Sequence, residues 1–519
     1  MSKKIFIVFI VFGIVVLNSC SKLDERFQGD LTQGGINSGT TNSAILLQSV
    51  YNALGKVFTF HLSVFPLQEV STDELIFPTR GTDWDDNGTW RVIHEQKWLT
   101  NNEIIINCFN SLNGIVYTAT DLLRYNPSIQ EQAEGRFIRA WAMYLILDFF
   151  DQVPYREPGE SLIQPSRVRK GIDALNYIIS EITAVQTNLP GVPVFKANKA
   201  AAKVLLMKCY LNKAVYENRS NPAFSTTDMN KVINLADEII NSNAFTFSAN
   251  YFDNFAPANT TIGKENIFTQ LNIAGSTPDN LLWLAWLSPF HYNQAPGANG
   301  WATLSDFYNK FEPNDKRRGA VYSSPGSPPN PANGINVGFL IGQQYDYFTG
   351  AALTDRPGAP LIFTPEVKNL ETGSNLEVTG IRPIKYFPDW PNYFSPDNDF
   401  VFFRLPDVLL MKAEAILRGG TATNAGSYGN SATLIVNAIR TDPSRGASAL
   451  SSVSLDNIID ERGRELWLEG WRRQDLIRFK KFLQPFQEKN YVTDPKYLLF
   501  PIPDEQLAVN PNLQQNPGY

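Results

Sequence analysis

The sequence predicts a mainly α-helical protein, in which a scaffold of paired helices carries a large loop-rich region. Apolar residues recur at helical spacing in two blocks of the chain, one before residue 243 and one after residue 399. Between the blocks, Pro, Gly and Asn are frequent and many aromatic residues accompany them. The chain has 519 residues, 43% of them hydrophobic and 18% charged, so it can bury a large core and is globular.

The helices of the first block are predicted in pairs, followed by a shorter helix. The helical spacing covers 101–124 with 129–150, 170–188 with 197–217, and 228–242. Asn126-Pro127 and Leu189-Pro190 separate the partners, because the residue before a proline avoids helical backbone angles. These pairs are typical of helical hairpins.

The second block predicts helices over 404–418, 430–440 and 454–483. The fragment VLLMK occurs at 204–208 and again at 408–412, as stacked helical repeats would require. In the last segment, the charges of ERGRELWLEGWRRQDLIRF predict pairs along one helix, Arg462 with Glu465 and Glu469 with Arg472 or Arg473. We interpret these charges as part of the scaffold, because paired charges on a helix are more often structural than catalytic.

The first residues form an export signal. Two lysines precede an almost unbroken apolar run at 5–16, which is too short to span a bilayer comfortably. The following LNSC resembles a bacterial lipobox, which predicts a lipid on Cys20; an ordinary secreted protein is the alternative. Removal of the two signal lysines changes the net charge from −6 to −8, and this acidic balance argues against nucleic-acid binding.

Little in the sequence points to catalysis or to a cofactor. The three histidines, His61, His94 and His291, are not paired at metal-ligand spacing, so no metal or other cofactor is expected. Cys108 and Cys209 lie in apolar helical patterns and are predicted to be free buried thiols, with a single disulfide as the alternative. The DWDD run at 83–86 is the most obvious candidate for a glycosidase carboxylate pair; its other interpretation, which we favour, is a turn whose Asp side chains accept bonds from sugar hydroxyls.

Four stretches of the chain resemble the signature segments of the SusD/RagB family. They are AEGRFIRAWAMYLILDFFDQVPY at 133–155, FVFFRLPDVLLMKAEAILR at 400–418, ERGRELWLEGWRRQDLIRF at 461–479 and YLLFPIPDEQLAVNPNLQQNPGY at 497–519. With CSKLDERFQGDLT at 20–32 they extend in family order from the mature start to the last residue. The resemblance implies a non-catalytic, lipid-anchored protein of the outer-membrane surface of Bacteroidetes, built on tetratricopeptide-like helix pairs. It also implies that the protein captures nutrients for a SusC-like TonB-dependent transporter.

The resemblance divides the chain into four parts. They are a signal peptide at 1–19, a helical region at 20–242 with a loop insertion near 60–100, a loop-rich ligand-facing region at 243–399 and a C-terminal helical region at 400–519. Asp24 and Glu25 after the lipobox resemble a surface-export signal of such lipoproteins, although a solvated tether would look the same. A glycan is the expected nutrient and a peptide is the alternative.

The stretch RGTDWDDNGTW at 80–90 is the first candidate ligand surface. Sugar rings stack their C–H faces on flat aromatic groups and need polar partners for their hydroxyls, and this loop offers both. We predict that Trp84 is a stacking platform with Asp83 and Asp85 as its polar neighbours; the alternative is that Trp84 folds back as a plug. Trp90 leads into RVIHEQKW and is predicted to belong to the scaffold.

The region between the helical blocks supplies the other candidates. Trp390, between two prolines in FPDWPNYF, is the second predicted ligand contact, with Tyr393 close to it. Trp283 and Trp286 are three residues apart in LLWLAWLSPFHYN, so they are candidate contacts that could equally share a buried helical face.

Overall fold

The fold is known from a computed structural model that describes residues 42–276, 281, 283–294, 296–323 and 335–519. The signal peptide, Cys20, Asp24 and Glu25 lie outside these residues. The α-helices are α1 Ser43–Thr59, α2 Val64–Glu69, α3 Thr89–His94, α4 Glu103–Leu122, α5 Ile129–Phe150, α6 Gly171–Val185, α7 Lys199–Glu217, α8 Thr226–Ile240, α9 Asn259–Ile262, α10 Ser305–Tyr308, α11 Leu405–Leu417, α12 Ala432–Arg440, α13 Leu455–Leu466, α14 Arg472–Arg478 and α15 Asp504–Val509. A π-helical turn covers Trp283–Leu287, and 3-10 turns cover Asp86–Gly88, Gln186–Asn188, Tyr251–Phe255, Lys316–Arg318, Trp390–Asn392, Gly426–Tyr428 and Pro495–Leu498.

Local sequence signals start the long helices where the pattern predicts them. The side chain of Asn102 accepts the backbone N–H groups of Ile104 and Ile105 at the start of α4. Ser128 and Glu131 form a capping box at the start of α5. These caps satisfy backbone donors that have no partner inside the helix.

The predicted helix pairs are confirmed. Helix α4 packs on α5, and α6 packs on α7. The array continues without interruption, because α1 packs on α4, α5 on α6, α7 on α8, α8 on α11, and α11 on both α12 and α13. The result is a mainly helical scaffold of stacked neighbours, in which both VLLMK fragments lie on helices, α7 and α11.

Strands are short and form small sheets. They are β1 Leu75–Ile76, β2 Thr79–Arg80, β3 Gln152–Tyr155, β4 Arg167–Lys170, β5 Asn266–Gln270, β6 Ala302–Thr303, β7 Gly319–Ala320, β8 Val337–Leu340, β9 Gly342–Gln343, β10 Ile362–Phe363, β11 Leu370–Glu371, β12 Arg382–Ile384 and β13 Phe400–Arg404. The pairs are β1 with β6, β3 with β4, β9 with β10 and β5 with β13, all antiparallel, and β2 with β11, parallel; β12, β8 and β7 form a three-stranded sheet. The described part of 243–399 is accordingly rich in loops, as predicted.

The C-terminal charged segment differs from the prediction of one helix over 454–483. Helix α13 ends at Leu466 and α14 begins at Arg472, and Leu468 and Gly470 between them have left-handed backbone angles (φ of +56° and +79°). The backbone N–H of Leu468 donates to the carboxyl group of Glu74, and that of Gly470 donates to the carboxyl group of Glu69. Both hydrogen bonds are 2.6 Å long. These distant carboxyl groups stabilise the break, which no helical periodicity could reveal.

The predicted ion pairs along that helix are also wrong in detail, although the charges are structural as expected. Glu465 is fully buried and accepts from Arg317, Arg404 and Arg445, at 2.9, 2.5 and 2.7 Å. The other residues of the predicted pairs also bind partners on other elements: Arg462 binds Asp407 and Asp475, Glu469 binds Lys385 and Arg404, Arg472 binds Asp73, and Arg473 binds Asp148. Pairs within one helix occur elsewhere in the segment, between Arg464 and Glu461 and between Arg478 and Asp475. The charges face the interior, where a neighbour of opposite charge on another element is the nearest source of compensation.

The two cysteines are free and buried, as predicted, and are not joined to each other. Burial raises the pKa of both thiols, which keeps them protonated and unreactive. Within the described ranges, no helix combines the length and apolar character needed to cross a bilayer.

Candidate functional site

The early loop places Trp84 at the edge of an aromatic cluster. Its indole is partly buried and packs edge-on against Phe77, with ring centroids 4.6 Å apart, and against Trp283 at 6.4 Å. The indole N–H donates to the carbonyl of Ala298 over 2.7 Å. Trp84 therefore combines an anchored edge with a partly accessible ring.

The backbone of this loop is strained at Trp84. Its φ is +59°, a region that a bulky side chain rarely occupies, and Asp86 and Asn87 also have positive φ. Such a conformation costs about 1–3 kcal/mol and persists only where the surroundings hold it. The contacts of Trp84 with Ala298 and Phe77 are the interactions that hold it here.

His61 and Trp283 extend the aromatic cluster. Their rings are stacked, with centroids 4.3 Å apart and planes inclined by 28°. His61 follows the end of α1, and both side chains are partly buried. Burial lowers the pKa of His61 to about 4, so the imidazole is neutral at physiological pH. We call Trp84, Trp283, His61 and Phe77 the Trp84 cluster.

A polar network lies beside the Trp84 cluster. Asp83 accepts hydrogen bonds from the hydroxyl of Tyr292 (2.7 Å) and from the guanidinium of Arg356 (3.0 Å). Arg356 lies over the ring of Tyr292, 4.0 Å from its centroid, and also pairs with Glu377, which contacts His291 at 2.8 Å. Burial opposes charge on Glu377, but its bonds to Arg356 and His291 outweigh burial and lower its pKa.

A second aromatic cluster surrounds Trp390. The Trp390 ring stacks on Tyr393 and on Phe290, with centroids 5.8 and 6.4 Å apart, and contacts Tyr347 at 4.8 Å and Phe348 at 5.3 Å. Trp390 is partly buried, whereas Phe348 is exposed. We call Trp390, Tyr393, Tyr347, Phe348 and Phe290 the Trp390 cluster.

One loop joins the two clusters. The carbonyl of Ala298 accepts from Trp84, and the carbonyl of Pro296, two residues earlier, accepts from the hydroxyl of Tyr393 over 3.2 Å. Phe290 of the same segment stacks on Trp390. The aromatic residues predicted from two distant parts of the sequence thus lie on either side of one short segment.

The structure corrects one predicted ligand contact and qualifies a second. Trp286 is fully buried, and its indole N–H donates to the carbonyl of Tyr386 over 2.9 Å, so it is a core residue rather than a surface contact. Tyr393 is only 7% exposed and supports Trp390 from below the surface. Trp283 and Trp286 point to different surroundings because their segment is a π-helical turn.

The carboxylates of the acidic run at 83–86 are engaged in hydrogen bonds and ion pairs. Asp83 binds Tyr292 and Arg356, Asp85 binds Arg91 at 2.6 Å, and Asp86 accepts the indole N–H of Trp90 at 2.8 Å. Trp90 is buried, as expected of a scaffold residue. This arrangement favours turn and ion-pair roles for the carboxylates over a catalytic pair.

Several residues of the site were not predicted from the sequence. His61, Tyr292 and Arg356 contribute to it through contacts with segments more than 200 residues away. The aromatic runs YDYF at 345–348 and NYF at 392–394 are the sequence features that could have indicated Phe348 and Phe394, which are exposed. Across the described ranges, no group of three or more His, Cys, Asp or Glu side chains is arranged to hold a metal ion.

Comparison with known proteins identifies the family. The model of the SusD family matches residues 241–519, more than half of the chain. The chain therefore belongs to the SusD family, as its signature segments indicated.

Individual relatives span nearly the whole chain. The starch-binding protein SusD of Bacteroides thetaiotaomicron is 24% identical over 515 residues, covering 89% of this chain and 86% of the relative. A SusD superfamily protein from Parabacteroides distasonis has a similar fold, with a TM-score of 0.70 at 19% identity over 92% of this chain and 98% of the other. Surface glycan-binding protein A from Bacteroides thetaiotaomicron, in complex with laminarihexaose, has a TM-score of 0.62 at 17% identity over 91% and 98% of the two chains.

Proposed function

We propose that this protein binds glycans through the Trp84 and Trp390 clusters. The observation that carries the proposal is the pair of partly accessible aromatic clusters held on one segment, with the Asp83, Arg356 and Glu377 network beside them. Flat rings match the apolar faces of sugars, while carboxylate, guanidinium and hydroxyl groups match their hydroxyls. The relatives that bind starch and laminarihexaose support a glycan as the ligand.

The proposed activity is binding without hydrolysis. The carboxylates of the 83–86 run have partners among Arg91, Arg356, Tyr292 and Trp90, which leaves them poorly placed as a general acid and a nucleophile. The purified mature protein should retain a bound oligosaccharide intact. Steady release of reducing ends from starch, laminarin or xyloglucan would contradict this part of the proposal.

The proposed setting is the outer-membrane surface, with a SusC-like TonB-dependent transporter as the partner and a lipid on Cys20 as the anchor. Membership of the SusD family and the LNSC motif support this setting. Gentle solubilisation and affinity capture of the tagged protein should co-purify a barrel of transporter size. Absence of such a barrel, when other outer-membrane complexes remain intact, would count against the partnership.

Affinity electrophoresis tests glycan binding directly. Gels containing starch, laminarin or xyloglucan should retard the mature protein in at least one case. Unchanged mobility in all three, and no heat of binding with their oligosaccharides, would overturn the proposed function.

A further inference from the structure

A cavity lies beside α4 of the helical scaffold. It has a volume of about 160 Å³ and is formed by α4 and by the loop that follows β3. Asn113, Tyr117 and Asp121 line it from α4 and Arg124 from just after that helix, and the opposite segment contributes residues between Pro154, on β3, and Ser166. None of these residues belongs to the Trp84 or the Trp390 cluster.

The lining of the cavity is mainly apolar. Tyr117 is 50% exposed, and Leu162, on the loop after β3, is 59% exposed. Val116 and Tyr155 complete the apolar lining. An exposed tyrosine ring in the lining of a cavity offers a flat surface on which a sugar ring can stack its C–H face.

The loop that closes the cavity is held in place by its own polar groups. The guanidinium of Arg156 donates to the carbonyls of Ser161 and Gln164. Ser166 accepts from the side chain of Asn510 at 2.8 Å. The loop is therefore ordered before any ligand arrives, which lowers the entropic cost of binding.

The lining of the cavity carries two arginines and three carboxylates, so its charges nearly balance. Asp121 pairs with Arg124 at 2.9 Å, and Glu160 pairs with Arg167 at 2.5 Å. A rim of paired charges with neutral amide and hydroxyl groups fits an uncharged, hydroxyl-rich ligand better than an anionic one. The volume is below the roughly 300–1,000 Å³ of clefts that enclose drug-sized ligands, so the cavity suits one sugar unit of a chain that continues outside.

We infer that the cleft at Tyr117 is a second saccharide site, which binds a neutral glycan chain in addition to the loop site. The inference rests on the proposed glycan-binding function and extends it from one binding site to two. Two sites on one protein strengthen the binding of a long polymer more than that of a short oligosaccharide, because the second contact is intramolecular.

Tyr117→Ala is the decisive variant, since removal of a half-exposed side chain leaves the core intact. Affinity gels with starch, laminarin and xyloglucan compare its retardation with that of the wild type, and calorimetry with maltoheptaose, laminarihexaose and a xylogluco-oligosaccharide gives the stoichiometry. We expect the affinity for the retained polymer to fall about tenfold and the stoichiometry for the oligosaccharide to fall from two to one. Tyr210→Ala, a partly buried tyrosine on α7, is the matched control and should leave both unchanged.

A double variant separates this inference from the proposed function. Trp84→Ala combined with Trp390→Ala should leave residual polymer binding that Tyr117→Ala then removes. A wild-type stoichiometry of one, with equal polymer retardation of the wild type and Tyr117→Ala, would overturn the second site while the proposed function stands. Failure of the wild type to bind any of the three polymers would overturn both. Loss of a co-purifying protein, but not of polymer binding, in Tyr117→Ala would assign the cleft to a protein partner and contradict the inference.

Discussion

The imidazole of His61 stacks on the indole of Trp283, although the two residues are 222 positions apart, with their ring centroids at 4.3 Å. The stack brings the end of α1 against the π-helical turn of the loop-rich region. Burial favours the neutral imidazole, because a charged ring would lose its hydration at this position. His61 thereby links the helical scaffold to the proposed ligand surface.

The first prediction is that His61 makes the stability of the protein depend on pH. Because the pKa of His61 is lowered to about 4 from an ordinary 6.5, the unfolded chain binds a proton that the folded chain excludes between these values. Stability contributed by neutral His61 is fully present above pH 6.5 and decreases as the pH falls toward 4. His61→Phe keeps a stacking ring and removes the titration. The difference in melting temperature between wild type and variant should shift in favour of the variant from pH 7 to pH 4.5; a difference independent of pH would contradict the burial of His61.

The second prediction concerns Trp84. Trp84→Ala should weaken glycan binding by about 1–3 kcal/mol, the range for loss of an aromatic contact residue. Because the ring is also packed on Phe77 and anchored to Ala298, we expect a moderate fall in melting temperature as well. Calorimetry and thermal unfolding separate the two effects.

Trp286→Ala is the control for Trp84. Truncation of the buried Trp286 indole should destabilise the fold by about 3–5 kcal/mol. Any folded fraction should bind glycan with nearly normal affinity. A larger loss of glycan affinity in Trp286→Ala than in Trp84→Ala would contradict the assignment of Trp84 as the ligand contact and of Trp286 as a core residue.

The third prediction concerns the buried ion cluster. Glu465→Gln removes a charge that three arginines share in the core, so it should destabilise the fold by about 3–5 kcal/mol. Denaturant unfolding measures the change. Glu238→Gln is the control: the exposed carboxylate of Glu238 pairs with Lys203, and its loss should change stability by less than about 1 kcal/mol. Equal losses of stability in Glu465→Gln and Glu238→Gln would show that the buried ion cluster stabilises the fold no more than an exposed ion pair does.

The fourth prediction concerns the anchor. Metabolic labelling with a fatty-acid analogue should mark the wild type and leave Cys20→Ala unmarked, and the variant should leave the membrane fraction. Equal labelling of both proteins would exclude lipidation at Cys20. Replacement of Asp24 and Glu25 by Ala should reduce digestion by external protease without changing the labelling.

Local signals explain how much of the fold the sequence predicts. Ser128 and Glu131 cap α5 through contacts within four residues, so its start is readable from the sequence. The break after α13 is not readable, because Glu74 and Glu69, about 400 residues earlier, bind the N–H groups of Leu468 and Gly470. A helix that is interrupted by tertiary contacts keeps a helical pattern in its sequence.

The candidate site also has features that the sequence could predict and features that depend on the fold. The partly accessible positions of Trp84 and Trp390 could be predicted, because both residues stand among turn-forming residues, which lie at the surface; their contact with a ligand stays a prediction. The burial of Trp286 was not, since it depends on the π-helical turn and on the carbonyl of Tyr386. The pairing of Asp83 with Arg356 joins residues 273 positions apart and likewise needs the fold.

The affinity of cluster variants for glycan tests most directly whether the Trp84 and Trp390 clusters form the ligand site. Isothermal calorimetry should compare the wild type, Trp84→Ala and Trp390→Ala on the oligosaccharide that the wild type binds best among maltoheptaose, laminarihexaose and a xylogluco-oligosaccharide. Trp467→Ala, a buried core residue, controls for loss of folded protein. We predict that each cluster variant loses about 1–3 kcal/mol of binding free energy at unchanged folded fraction. Wild-type affinity in both cluster variants would contradict the placement of the ligand site.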